Sequence, residues 1–304
     1  MSPRIAVFTK NLTNPAYEAA RLGADRVATR LGATTIHYVP RQPDSVSEQI
    51  ALIERAIAQR PDAVVFTPVH ETAVNDAILA FDAAGIPLFN FVTRATAGQP
   101  VCFVGSDDRA LATDIARYLF SKLGGRGQIA IFEGTPASAT SHARLRGFHD
   151  ALADCPDVAV RLSLRGDYQR DIAREAFLGA ADMLHGIDAV LCANDAMALG
   201  VLDALGSTLG HRKWPLVVGV NAVPEAIAAI ESGRMLATAS FDAMTMSAIA
   251  TEAAVRHLRG ERVPREIILP VQIVDAANFE KWNMPFEARS CPGWQEVAGL
   301  PARP

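Results

Sequence analysis

Short apolar runs alternate along the chain with longer segments in which apolar residues recur every three or four positions, and the rhythm begins within the first few residues. Ile5–Phe8, Thr35–Val39, Ala63–Phe66 and Pro87–Phe91 read as strands separated by helices of ordinary length. Strands that are apolar at every position, with helices between them, build a parallel sheet covered on both faces. The rhythm restarts after Ser106: helix to Leu123, strand 129–132, helix 138–152, strand 158–162, helix 172–184, strand 189–192, helix 196–205 and strand 216–220. A third stretch adds helix 224–232, strand 236–240, an Ala-rich helix over 242–258 and a strand near 268–274.

Local signals agree with these boundaries. Asn14-Pro15 supplies an N-cap and a proline at the first helical position, and Ser45-Val46-Ser47-Glu48 has the spacing of a capping box. Gly124-Gly125-Arg126-Gly127 follows a helix and precedes a strand, which suits a helix stop and not a phosphate cradle. After Ala276 the periodicity is lost, and Pro285, Pro292, Pro301 and Pro304 accompany Trp282, Phe286 and Trp294. That composition predicts an ordered wrap followed by a frayed tail.

Composition narrows the class. With 304 residues, half of them hydrophobic, the chain holds enough material for two α/β lobes. A formal charge of -4 and the absence of any Lys/Arg run exclude the electrostatic footprint of a nucleic-acid binder. No stretch approaches the roughly 20 apolar residues of a membrane-spanning helix. Met1-Ser2-Pro3-Arg4 leads into the first strand without an apolar signal region, so either the protein remains in the cytoplasm or a leader has been removed. Cys102 and Cys192 fall in strand-like runs, whereas Cys155 and Cys291 each precede Pro; the latter two are the pair available for a disulfide, though a chain of this length needs none.

In an open parallel sheet the ligand lies beyond the carboxyl ends of the strands. There the sequence is strongly polar. The first strand is followed by Thr9, Lys10, Asn11, Thr13, Asn14 and Tyr17, the third by His70 and Glu71, and the fourth, which carries Asn90, by Thr93 and Arg94. The second half offers Glu133, Thr140, Arg144, Tyr168, Asn194, Asp195 and Asn221, with Phe241 closing a later strand. Amides, a few charges and aromatic faces suit a polyhydroxylated ligand, whose hydroxyls both donate and accept while its C–H faces pack on rings. Each residue also has a plainer reading: Asn14 and Asn194 as helix caps, Tyr17 and Phe241 as core, Arg94 and Arg144 as ion pairs, His70 as a solvated loop residue. Their recurrence at one edge of two successive sheets favours a pocket. The first loop, Thr9 to Asn14, has no glycine, so dinucleotide and phosphate-loop binding are disfavoured, and no nucleophile elbow or metal-ligand spacing is present. The chain is therefore read as a non-enzyme that needs no cofactor.

Four phrases carry a family resemblance: Asn14-Pro15-Ala16-Tyr17; Thr140-Ser141-His142-Ala143-Arg144-Leu145-Arg146-Gly147-Phe148; Ala193-Asn194-Asp195-Ala196-Met197-Ala198-Leu199-Gly200; and Val218-Gly219-Val220-Asn221. In order and spacing they resemble the ribose-binding-protein group of periplasmic sugar-binding proteins over roughly residues 4–275. The resemblance implies two Rossmann-like lobes with parallel sheets joined by a three-stranded hinge, the periplasmic binding protein-like I fold, crossed near Ser106, Phe241 and Leu269. Residues 1–106 with 242–268 would form the N-terminal lobe, and 107–241 with 269–304 the C-terminal lobe.

It further implies a monomeric periplasmic protein that hands a monosaccharide or sugar alcohol to the membrane permease of an ABC transporter. Carried across by position, Asn14, Tyr17, Arg144, Tyr168 and Asn194 match the family's ligand residues. Three positions depart: a usual Asp falls at or near Val92, a later Asp is Asn221, and a usual Gln is Phe241. These changes argue against ribose itself, with Asn90, Thr93 or Arg94 as replacement contacts. Lys10, Arg94 and Arg144 would suit an acidic sugar unless Glu133, Asp107 or Asp242 neutralises them. The same core also serves as the effector-sensing domain of lac-repressor-like regulators, which would be cytoplasmic; an α/β enzyme acting on a sugar ranks behind both.

Overall fold

A computed structural model describes residues 2–208 and 214–297. The first half runs β1 (Arg4–Phe8), α1 (Pro15–Arg30), β2 (Thr34–Tyr38), α2 (Val46–Ala58), β3 (Ala63–Phe66), α3 (Asn75–Ala83), β4 (Leu88–Phe91) and β5 (Cys102–Gly105). The second runs α4 (Asp108–Lys122), β6 (Gly127–Glu133), α5 (Ala139–Ala153), β7 (Val158–Arg165), α6 (Arg170–Gly179), α7 (Ala181–Leu184), β8 (Ala189–Cys192), α8 (Asp195–Thr208), β9 (Leu216–Val220), α9 (Pro224–Glu231) and β10 (Ala237–Ala239). Then come α10 (Ala243–Leu258), β11 (Glu266–Ile268), β12 (Ile273–Asp275), two single 3-10 turns at Phe279–Trp282 and Phe286–Ala288, and α11 (Trp294–Val297).

The strands form two six-stranded sheets, ordered β11-β5-β4-β3-β1-β2 and β12-β10-β9-β8-β6-β7. Every pairing is parallel except β10 with β12. The chain passes between the sheets three times, from β5 to α4, from β10 to α10 and from β11 to β12. The protein therefore has an α/β fold of the periplasmic binding protein type I class. The strand expected near 268–274 is in fact two strands in different sheets, and the helix expected over 172–184 breaks at Ala180.

Burial explains why these runs became strands. β1, β3, β4 and β8 are buried along nearly their whole length because helices cover both faces. In the first half Phe8, Phe66 and Phe81 interlock, with Phe8 and Phe66 centroids 5.2 Å apart, and Tyr38 stacks on Phe8 at 4.8 Å. Two of the phrases that carried the resemblance owe their glycines to packing. A Cβ on Gly147 would stand 2.3 Å from the carbonyl oxygen of Arg109 in α4, and one on Gly200 2.1 Å from that of Arg170 in α6.

Asn14 caps α1, its side chain accepting from the Ala16 amide. Ser45 caps α2 by accepting from the Glu48 amide, but the Glu48 carboxylate turns to the amides of Arg41 and Gln42, so the capping box is only half formed. The glycine run after α4 is a helix stop, with Gly124 and Gly125 at φ 69° and 76°. All four cysteines are free thiols, Cys155 and Cys291 included. The wrap after β12 is ordered as far as Val297: Phe286–Ala288 lies on α1, and Arg256 of α10 covers the Trp294 ring. The end of the chain, with Pro301 and Pro304, lies outside the described residues.

Candidate functional site

The carboxyl edges of the two sheets face one another and enclose a polar cavity of about 40 Å³. Loops hold the two edges close. The Thr13 hydroxyl donates to Gln169 Oε1 at 2.7 Å, Thr93 and Thr140 hydroxyls meet at 3.0 Å, and the Glu71 amide donates to the Ala137 carbonyl at 2.9 Å.

From the first half, the loop after β1 and the start of α1 bring Lys10, Asn14 and Tyr17 to the cavity. Lys10 is buried, and among the described residues its ammonium reaches only the Ser138 hydroxyl of the opposite half, at 3.5 Å. Burial lowers its pKa, and Asp44 partly offsets that. Asp44 also lines the cavity; burial raises its carboxyl while Lys10 works against the rise.

From the second half come Arg144, Tyr168, Asn194, Asn221 and Phe241. Arg144 is the anchor. Its Nε donates to Asp108 Oδ1 at 2.8 Å, its Nη1 donates to the Ala193 carbonyl at 2.6 Å, and the guanidinium lies 4.7 Å from the Phe241 centroid and 5.9 Å from that of Tyr168. The pair is almost fully buried. Asn194 Oδ1 accepts from the Met197 amide at 2.9 Å, capping α8, and its Nδ2 donates to the Tyr168 carbonyl at 3.2 Å. Asn14 and Asn194 thus cap their helices and also line the cavity. The buried Tyr168 hydroxyl has no hydrogen-bond partner of ordinary geometry among the described residues.

Backbone strain gathers at the same place. Seven non-glycine residues have positive φ among the described residues, and four of them, Asp44, Val92, Tyr168 and Asn221, line this cavity. Such conformations cost about 1–3 kcal/mol each and cluster at functional sites, where the surroundings over-determine them.

Three expected residues stand elsewhere. Asn90 is locked into the fold, its Nδ2 donating to the Phe66 and Thr93 carbonyls and its Oδ1 accepting from the Ala95 amide. Thr93 supports the wall by meeting Thr140. Arg94 leaves the cleft altogether, pairing with Glu266 and lying 3.8 Å from the Phe103 centroid. The left-handed turn at Val92, φ 62°, redirects the chain just before Thr93 and Arg94. Asp44 and Ser138 were overlooked. Asp44 had a readable signal, since it lies just beyond the carboxyl end of β2, whereas nothing in the sequence singles out Ser138. Of the proposed neutralising acids, none is the partner of Arg144; Asp108 is. Among the described residues no three His, Cys, Asp or Glu side chains gather as a metal site.

Comparison with known proteins places this geometry. The chain is 29% identical over 272 residues to the ribose import binding protein of Bacillus subtilis, covering 88% of this chain and 86% of that one. It is 26% identical to the D-allose-binding periplasmic protein of Escherichia coli, with 89% and 90% covered. An ABC transporter periplasmic solute binding protein from Actinobacillus succinogenes, solved with bound D-allose, superposes with a TM-score of 0.86 at 27% identity, covering 92% of this chain and 99% of that one. Residues 5–262 match the periplasmic binding protein domain, and the chain belongs to that family.

Proposed function

We propose that the protein is the periplasmic solute-binding component of an ABC transporter and that it takes a monosaccharide or sugar alcohol into the cleft by hinge closure. The observation that carries this reading is the enclosed polar cavity to which both sheets contribute donors and rings. Lys10, Asn14, Arg144, Asn194 and Asn221 supply hydrogen bonds to ligand hydroxyls, while Tyr17, Tyr168 and Phe241 cover the C–H faces. The relatives named for ribose and allose support a hydroxyl-rich ligand.

In this reading two lobes, 1–106 with 242–268 and 107–241 with 269–304, turn about the three crossings. A ligand that touches both lobes stabilises the closed form through differential affinity. The protein works as a monomer and delivers its ligand to the membrane permease.

A thermal-shift series with D-ribose, D-allose, other hexoses, myo-inositol and sugar acids tests this. A true ligand at a hundred times its Kd stabilises the fold by about 2.7 kcal/mol and raises the melting temperature visibly. Absence of any shift across neutral sugars and polyols would overturn the reading, and a shift with sugar acids alone would replace it by an acidic-sugar site centred on Lys10.

A further inference from the structure

The segment after β12 crosses from one half of the protein to the other. Its first turn, Phe279–Trp282, packs beside α9 in the second half, whereas Phe286–Ala288 lies on α1 in the first. Farther on, the Arg256 guanidinium of α10 covers Trp294, 4.9 Å from its centroid. Arg289 sits between these attachments. Its Nη1 donates to the Ala222 carbonyl at 2.7 Å, and its Nη2 and Nε donate to the carbonyls of Trp282 at 2.7 Å and Met284 at 3.2 Å. Its own carbonyl accepts from Arg26 Nη1 at 2.8 Å, and Arg26 also donates to the Glu287 carbonyl. A continuous set of polar contacts thus leads from α1 through Arg289 to the turn that carries Asn221.

That turn is strained. Asn221 and Ala222 have φ 132° and 52°. Its amides are held from inside the second half, Asn221 by the Ala239 carbonyl at 2.9 Å, Ala222 by Thr238 Oγ1 at 3.3 Å and Val223 by Asp195 Oδ2 at 3.0 Å. The Ala222 carbonyl is held from outside, by Arg289. Between the segment and the back of the cleft wall lies a cavity of about 570 Å³ bordered by Asn221, Phe241, Asp242, Trp282 and Arg289. The segment therefore bears on this part of the wall through the Arg289 hydrogen bond, without continuous packing behind it.

We propose that Phe279–Val297 is an interlobe clasp, in which Arg289 is a positioning residue for Asn221 and the Arg26–Arg289 linkage holds the halves together before a ligand arrives. The clasp lies beyond the family match, which ends at residue 262. Its effect on affinity rests on the hinge-closure reading; its effect on the ligand-free shape does not. Because the clasp is attached to both halves, separation of the lobes would strain the Arg26 contacts and the Arg289 bond to Ala222, and the clasp biases the empty protein toward closure.

Small-angle scattering of the ligand-free full chain, well below its melting temperature, tests the clasp. The parent should scatter as the closed structure does, and Arg289→Ala and Arg26→Ala should each enlarge the radius of gyration. With D-ribose as the calorimetric probe, Arg289→Ala should weaken binding about tenfold, Arg289→Lys should restore part of that loss, and Arg26→Ala, which leaves the bond to Ala222 intact, should weaken it less. A parent that is already open, or variants whose radius equals the parent's, would overturn the clasp. If Arg289→Ala does not fold, the Arg26→Ala radius decides alone. A parent that ignores D-ribose removes only the affinity arm, because the scattering comparison needs no ligand.

Discussion

The two walls of the cleft differ in how completely their polar groups are partnered. On the second wall Arg144 is fixed by Asp108 and the Ala193 carbonyl, and both ends of the Asn194 amide are engaged. On the first, the Lys10 ammonium is buried with only a 3.5 Å contact to a hydroxyl among the described residues. A buried donor without a good acceptor is costly, whereas a partnered one is a fixed part of the fold. The charged and amide groups of the second wall are thus fixed by the fold, its Tyr168 hydroxyl apart, while in the proposed reading the Lys10 ammonium of the first is left for the ligand.

Removing the guanidinium at the centre of the second wall has the largest expected effect. Arg144→Ala leaves the Asp108 carboxylate buried without its partner, and breaking such a pair costs about 3–5 kcal/mol. Urea unfolding should show that loss, and calorimetry with whichever sugar binds the parent should show affinity weakened tenfold or more. A loss under about 1 kcal/mol would mean that this pair does not fix the second wall.

The same wall is braced from below by Asp195, which accepts from the Thr238 hydroxyl at 2.7 Å and from the Val223 amide at 3.0 Å. Burial pushes its carboxyl up to about 6, the hydrogen bonds opposing that rise. A folded-state value above the ordinary 3.8 means that the folded form binds the proton more tightly than the unfolded form does. This group's contribution to stability therefore increases as pH falls from above 6 toward 4, by at most about 3 kcal/mol at 1.4 kcal/mol per unit. Comparing chemical denaturation of the parent and Asp195→Asn at pH 7 and pH 5 isolates it: the variant should lose this component of the pH slope. A variant with the parent's slope would show that the carboxylate titrates normally.

On the first wall the expected pattern is reversed. Lys10→Met removes a buried cation that has no ion-pair partner within 4 Å among the described residues, so the ligand-free fold should keep its stability to within about 1 kcal/mol. Ligand affinity should nevertheless fall by about 1.5–3 kcal/mol, the worth of one charge-assisted hydrogen bond. Stability and affinity would then separate on one wall and fall together on the other. Unchanged affinity in Lys10→Met would erase the distinction.

How much of this was readable in advance follows the same physical division. The sheets were legible because strands covered on both faces appear as uninterrupted apolar runs, as in Ala63–Phe66 and Ala189–Cys192. Arg144 and Asn194 were legible because each sits in a phrase whose glycine is fixed by close helix packing. Asp108 was not, since an Asp in the first turn of a helix looks like an ordinary response to the helix dipole. Thr93 and Arg94 occupy the right edge of the sheet, but they follow a left-handed turn at a valine that leaves no sequence signature, while Asn90 is tied up by hydrogen bonds to its own loop and β3.

Arg94 gives the smallest expected effect and the sharpest check on that last point. Its guanidinium pairs with Glu266 and covers the Phe103 ring, with both partners of the ion pair substantially exposed. An exposed pair contributes about 0–1 kcal/mol, and an exposed cation–π contact about 0.5–1 kcal/mol. Arg94→Ala should therefore cost little stability and leave ligand affinity within about twofold of the parent, equivalent to about 0.4 kcal/mol. Had the side chain turned into the cleft, the same substitution would remove a charge-assisted contact and weaken binding tenfold or more. Calorimetry on this variant thus asks whether the Val92 turn, rather than position along the sheet edge, determines which residues after β4 reach the ligand.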